Sequence, residues 1–172
     1  MDRLILEDMI WPEVAEVLPE IKVALIPVGS CEQHGPNTTF VTDTVRAYRI
    51  AKLLAGRCGH KVICFPPITY GISSHHMDFP CSATLRVSTL TAVLVDTALS
   101  AVHYGIDKVL FVNAHGGNKL LCRYLSKSMT LPHSGLRLAQ NCLKAAYRNI
   151  SPVFSRATSG MPAKWKPRNV CI

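Results

Sequence analysis

The chain has 172 residues, 48% hydrophobic and 7% aromatic, which suits one globular domain and excludes an intrinsically disordered chain. No apolar run approaches the ~18–20 residues that span a bilayer, and the start, Met1 to Asp8, is acidic where a secretory leader is basic; the expectation is a soluble cytoplasmic protein with no membrane partner. The net charge of +8 is unevenly placed: residues 1–107 carry all 11 acidic and 8 basic residues, whereas residues 108–172 carry 11 basic and no acidic ones.

In chain order, residues 22–30 (KVALIPVGS) predict a short strand buried on both faces and ending at Gly29-Ser30. Thr42-Asp43-Thr44 reads as the cap of a helix running to about Arg57, with Ala47, Ile50, Ala51 and Leu54 as its apolar stripe and Gly59 as its stop. Residues 61–65 (KVICF) predict a second strand, stopped by Pro66-Pro67. Residues 89–104 predict a second helix, with Leu90, Val93, Leu94 and Leu99 inward and Gly105 as its stop. Residues 108–112 (KVLFV) predict a third strand, which runs into Asn113-Ala114-His115-Gly116-Gly117-Asn118 and then a helix to about Met129. Alternation of strand and helix predicts an α/β fold with a mostly parallel sheet. Seven scattered cysteines with no CxxC pair read as buried thiols, not as a zinc or redox motif.

Sites on parallel sheets lie at the carboxyl ends of strands. Two polar clusters, SCEQHG and NAHGGN, follow strands directly. Glu32, His34, Asp43 and His115 are carboxylates and imidazoles, the donors that suit zinc, manganese or iron. Glu32 and His34 are two apart and share a side if the backbone is extended. Asp43 sits at a helix start, where a carboxylate is electrostatically favoured. Gly116 and Gly117 let backbone pass close to an ion or substrate, and Asn113 and Asn118 can hold the loop or orient ligands. Taken singly, each has a plainer reading: a surface acid, a helix cap, a loop histidine, a turn. Four ligand-type residues at two strand ends of one sheet favour a metal site. The loop from Tyr70 to Pro80, with Ser73, His75, His76 and Asp78, reads either as a cover over that site or as a plain connection.

The ordered set PVGSCEQHGP, TDT, YGISSHHMDFP and VNAHGGN resembles the creatininase (creatinine amidohydrolase) family over about residues 4–130. The resemblance implies an α/β three-layer sandwich, two divalent metal ions (zinc, manganese or iron), hydrolysis of a C–N amide bond in a small cyclic or linear substrate, and a homohexamer. It assigns Glu32 and His115 to one metal, His34 to the other and Asp43 to both, with Ser73, His76, Asn113, Gly116, Gly117 and Asn118 as substrate-binding or supporting residues. Departures are Asn37 for a histidine, Thr38-Thr39 for leucine-proline, Cys81-Ser82 for glycine-threonine, and His75 for an acid. These bear on substrate choice more than on the metals.

The larger departure is C-terminal, and it divides the chain into a creatininase-like domain at 1–130 and an atypical tail at 131–172, leaving the C-terminal part of the fold incomplete. Similar proteins with HGGN supply a further metal-binding glutamate in a motif like HAGExETS, and a late catalytic histidine. No acidic residue follows Asp107 here, so the catalytic residues are unknown. One set of codons for GMPAKWKP at 160–167, read in a shifted frame, encodes His-Ala-Gly-Glu-Met-Glu-Thr. A frameshift between about residues 119 and 160 would account for the acid-free tail. The alternatives are therefore an active amidohydrolase, a truncated or frameshifted inactive relative with partial metal binding, and, remotely, a nucleic-acid-binding protein that uses the basic tail. The last is disfavoured because the tail has few stacking residues, with Trp165 the latest, and no binding motif.

Overall fold

The computed structural model describes residues 4–106 and 108–128. Four strands form one sheet in the order β1-β3-β2-β4, every pair parallel. They are β1 (Leu4–Ile5), β2 (Val23–Val28), β3 (Val62–Cys64) and β4 (Lys108–Asn113). The helices are α1 (Trp11–Val17), α2 (Thr42–Cys58), α3 (Val87–His103) and α4 (Lys119–Ser128).

Alternation along β2 and β4 divides the interior into two layers of side chains. Ala24, Ile26, Val28, Val109 and Phe111 face one side, where Leu90, Leu94, Ala98 and Ala101 of α3 and Leu121 and Leu125 of α4 pack against them. Leu25, Cys64, Leu110 and Val112 face the other, covered by Ile50, Ala51, Leu54 and Ala55 of α2. The result is the expected α/β sandwich of three layers. Pro27 sits inside central strand β2 without disrupting it. Leu25 and Pro27 both accept bonds on the β3 side, from Phe65 and Ile68, and β3 has already ended at Cys64. The missing N–H of Pro27 leaves one gap on the β3 side, and pairing resumes at Val28 with Ile68.

The predicted strands and helices are all present, with three corrections. In α3 the inward residues are Leu90, Leu94, Ala98 and Ala101, while Val93 and Leu99 are 38% and 47% exposed. A small residue on the buried face lets a helix sit close to the sheet, so alanine replaced the larger side chains the pattern favoured. The N-cap of α2 is Val41, with no side-chain cap bond. Thr42 and Asp43 are already in the helix; the Thr42 hydroxyl donates back to the Thr39 carbonyl and Asp43 is turned inward. Finally, Cys64 alone among the described cysteines is buried; Cys58 and Cys81 are exposed. Edge strand β1 and helix α1 are too short to show a period in sequence. The tail at 131–172 lies outside the described residues.

What positions the site is the register of β2 on β4. Six consecutive pairs run from Val23 with Lys108 to Val28 with Asn113. The two strands end level, so the segments that leave them, toward Glu32 and toward His115, emerge side by side. Among the described residues, no helix is long and apolar enough to cross a membrane.

Candidate metal centre

Asp43 is the hub. It is buried in the first turn of α2 and uses both oxygens. Oδ1 lies 3.2 Å from His34 Nε2 and 3.3 Å from Arg46 Nη1. Oδ2 accepts from the Ser30 hydroxyl at 2.9 Å and lies 2.9 Å from His115 Nδ1. Glu32, also buried, brings Oε1 to 3.3 Å from His115 Nδ1. Its second oxygen, Oε2, is buried and accepts no hydrogen bond from the described residues. Ligand atoms of Glu32, His34 and Asp43 all lie within 4.8 Å of one another. All four residues expected to bind metal are thus brought together, three from the segment after β2 and one from the end of β4.

The two histidines are oriented from behind. The ring of His34 turns Nδ1 to the Glu32 carbonyl at 3.1 Å, which leaves Nε2 facing Asp43. His115 is 2% exposed; its Nε2–H donates to the Ile72 carbonyl at 2.9 Å, which leaves Nδ1 facing Asp43 and Glu32. An N–H held by a backbone carbonyl on the far side of the ring is the usual support of a metal-binding histidine.

Electrostatics follow from this packing. Burial favours the neutral form of Asp43, but hydrogen bonds from His115 and His34 outweigh it and hold the carboxyl well below its ordinary range. Glu32 is lowered in the same way, burial opposing and His115 prevailing. His34 is raised, chiefly by its bond to Asp43. For His115 burial opposes the charge, yet bonds to Asp43 and Glu32 raise it to about 10. The pairing favours ionised carboxylates and charged imidazoles, His115 most strongly. His34 Nε2 and His115 Nδ1 converge on Asp43, the atoms a divalent cation would engage. Two carboxylates, two imidazoles and a buried carboxylate oxygen without a partner fit such an ion.

The surrounding residues hold backbone. Asn118 accepts from the Ile72 N–H at 2.9 Å and donates to the Gly29 carbonyl and to Asn113 Oδ1, at 3.0 and 3.2 Å. Asn113 donates to the His115 carbonyl at 2.8 Å. Ser73 is fully buried, with Oγ 3.5 Å from His115 Nε2. Of the two glycines only one needs to be small. A Cβ on Gly117 would lie 2.0 Å from the Ile72 oxygen and 2.6 Å from His115 Nε2, whereas one on Gly116 would meet nothing.

The loop after Ser73 does cover the site. His76 Nε2 lies 4.0 Å from Glu32 Oε1, and the His75 ring stacks on that of His115 with centroids 6.1 Å apart. Glu32, His75 and His76 form a second group of ligand atoms within 4.8 Å. Cys81, at a position where the resemblance expects glycine, holds a positive φ of 65°, a conformation that costs a residue with a Cβ about 1–2 kcal/mol. Sequence reading did not single out Ser30, Arg46 or Gln33. Ser30 opens the SCEQHG cluster and Arg46 follows TDT, and their roles become legible only once Asp43 is seen to face inward.

Comparison with known proteins agrees with the fold. The family model for creatininase, creatinine amidohydrolase, matches residues 7–165. The mycofactocin precursor peptide peptidase of Mycolicibacterium smegmatis is 35% identical over 102 residues, 57% of this chain and 41% of that protein. The 3-dehydro-scyllo-inosose hydrolase of Thermotoga maritima is 31% identical over 111 residues, 64% of this chain and 35% of that protein. The creatinine amidohydrolase of Pseudomonas putida is 28% identical over 119 residues, 66% of this chain and 45% of that protein. The chain therefore spans less than half the length of these relatives. A crystal structure of creatininase superposes with a TM-score of 0.69 at 20% identity, over 96% of this chain and 67% of that one; other creatininase structures are described as manganese and zinc–zinc forms.

Proposed function

The chain belongs to the creatininase family, and on that premise we propose that it is a metal-dependent hydrolase of C–N amide bonds whose centre is Glu32, His34, Asp43 and His115. The observation that carries this reading is the pairing of the buried, unpartnered Glu32 oxygen with two histidines whose protons point at Asp43. Two divalent ions, with zinc, manganese or iron as candidates, would be held by Glu32 and His115 on one side, by His34 on the other, and by Asp43 between them. Such ions activate water and polarise an amide carbonyl at neutral pH. The chain's own residues supply the rest. Ile72 and Glu32 carbonyls fix the two rings, Arg46 and Ser30 fix Asp43, and Asn118 ties the His115 loop to the ends of β2 and of the 68–72 segment. His76 lines the approach on the substrate side, and buried Ser73 supports the His115 ring from behind. As in the resemblance, assembly into a homohexamer belongs to the same proposal.

A second reading is a metal-binding chain without turnover. It is favoured by residues 108–172, which carry no acidic residue that could serve the second metal. One experiment separates the two. The full chain is loaded with Zn2+ or Mn2+, the bound metal is counted, and hydrolysis of creatinine, of cyclic amides and of peptides is assayed beside Asp43→Asn. Turnover that vanishes in the variant supports the hydrolase. Metal bound without turnover supports the second reading. No metal above the variant's level sinks both. Resequencing the codons for residues 110–172 then tells whether the tail is authentic.

A further inference from the structure

The second group of ligand atoms, on Glu32, His75 and His76, has the composition of a cation site, and the side chain of Gln33 argues against it. Gln33 Oε1 accepts from the backbone N–H of Gly35 at 2.9 Å. A backbone N–H can only donate, so this bond fixes which end of the amide is oxygen. The other end, Nε2, lies 2.7 Å from His76 Nδ1. An amide NH2 can also only donate. His76 Nδ1 must then present a lone pair, and the proton of the neutral ring sits on Nε2.

That proton points into the site. Nε2 is the ring atom near Glu32 Oε1, at 4.0 Å, which is too long for a hydrogen bond. An N–H cannot ligate a metal. The partner of a ligating histidine accepts from its other nitrogen, as Ile72 and Glu32 carbonyls do for His115 and His34; Gln33 does the reverse. The three histidines that face this cluster with a set orientation therefore divide by their partners: carbonyls behind His34 and His115, an amide NH2 behind His76.

We propose that Gln33 is a positioning residue that holds His76 as an Nε2–H donor, keeping it off the metal and presenting it to the carbonyl oxygen of an amide substrate. The substrate half of this rests on the hydrolase reading above; the tautomer half does not.

The test uses the full chain labelled with 15N-histidine and long-range proton–nitrogen NMR. His76 should show the Nε2–H tautomer. Zn2+ should shift the ring nitrogens of His34 and His115 as ligands and leave His76 without a ligand shift. In Gln33→Glu a carboxylate accepts from Nδ1–H, so the tautomer should reverse and Zn2+ should now engage His76. An Nδ1–H tautomer in the unaltered chain, or a zinc-ligand shift at His76, overturns the proposal. On any amide the chain hydrolyses, His76→Ala should lower kcat/KM about tenfold, the worth of one hydrogen bond, and His76→Gln, which keeps an N–H donor, should recover most of it. Equal loss in both overturns the donor role. A chain that hydrolyses nothing yet shows Nε2–H sinks the hydrolase reading and supports the tautomer assignment, so the two fail separately.

Discussion

His115 and His75 stack with their rings 6.1 Å apart, yet they belong to regions built on different principles. His115 follows β4 and is held on both ring nitrogens by buried acceptors. His75 is exposed, on a short 3-10 turn at Ser74–His76, and burial and neighbouring His76 lower its pKa where bonds to Asp43 and Glu32 raise that of His115. The strand-end cluster takes its geometry from sheet register, which no single contact can change. The loop takes its geometry from a few side-chain bonds, such as Gln33 to His76. The contrast teaches that the Glu32–His34–Asp43–His115 cluster is a property of the fold, whereas the placing of His75 and His76 rests on a few local bonds.

The sharpest test of that contrast is Asp43→Asn against His75→Ala. Losing the charge that organises His34, Arg46 and His115 is expected to weaken Zn2+ or Mn2+ binding by more than ~100-fold, beyond the usual effect of a supporting residue. His75→Ala should leave it within about twofold. Comparable losses in a metal titration would erase the distinction between the regions.

Next in size is the pair of glycines. Gly117→Ala forces Ile72 or the His115 ring aside and should cost about 1–3 kcal/mol as overpacking, together with weakened metal binding. Gly116→Ala points into open space and should be nearly silent. Denaturant unfolding and metal titration of both variants measure this.

The pH profile of the cluster separates metal-free from metal-bound protein. His34 and His115 have folded values above their ordinary value of 6.5, that of His115 at about 10. The stability they give the metal-free chain is therefore fully present below about 6.5 and lost as pH rises toward 10. Asp43 and Glu32 are lowered, so their contribution is present above the ordinary carboxylate range and lost as pH falls through their folded values. Metal binding must expel the histidine protons, so affinity should rise over the window in which metal-free stability falls, by up to about tenfold per pH unit for each proton released. Chelator competition and thermal melts at matched pH should show the opposed slopes; parallel slopes would mean that the histidines are not the ligands.

The smallest effect is confined to the loop. Cys81→Gly relieves the left-handed backbone and should stabilise the chain by about 1 kcal/mol, with metal affinity unchanged.

Period and residue type were enough to read β2, α2, β3, α3 and β4 in order, because each buries an apolar face that the sequence repeats locally. They also singled out Glu32, His34, Asp43 and His115 as candidates, since ligand chemistry belongs to the side chain itself, and the fold brings these four together. They misjudged Val93 and Leu99, because the choice between two apolar stripes on α3 depends on how closely the helix approaches the sheet. They did not show that Gly117 and not Gly116 must be small, that Arg46 and Ser30 bind Asp43, or that Gln33 sets the tautomer of His76. Those facts depend on contacts across 13 to 45 residues or, for Arg46 three residues from Asp43, on which way the helix turns. The level ends of β2 and β4 and the fold of the 73–81 loop decide them, and these exist only once the sheet has paired.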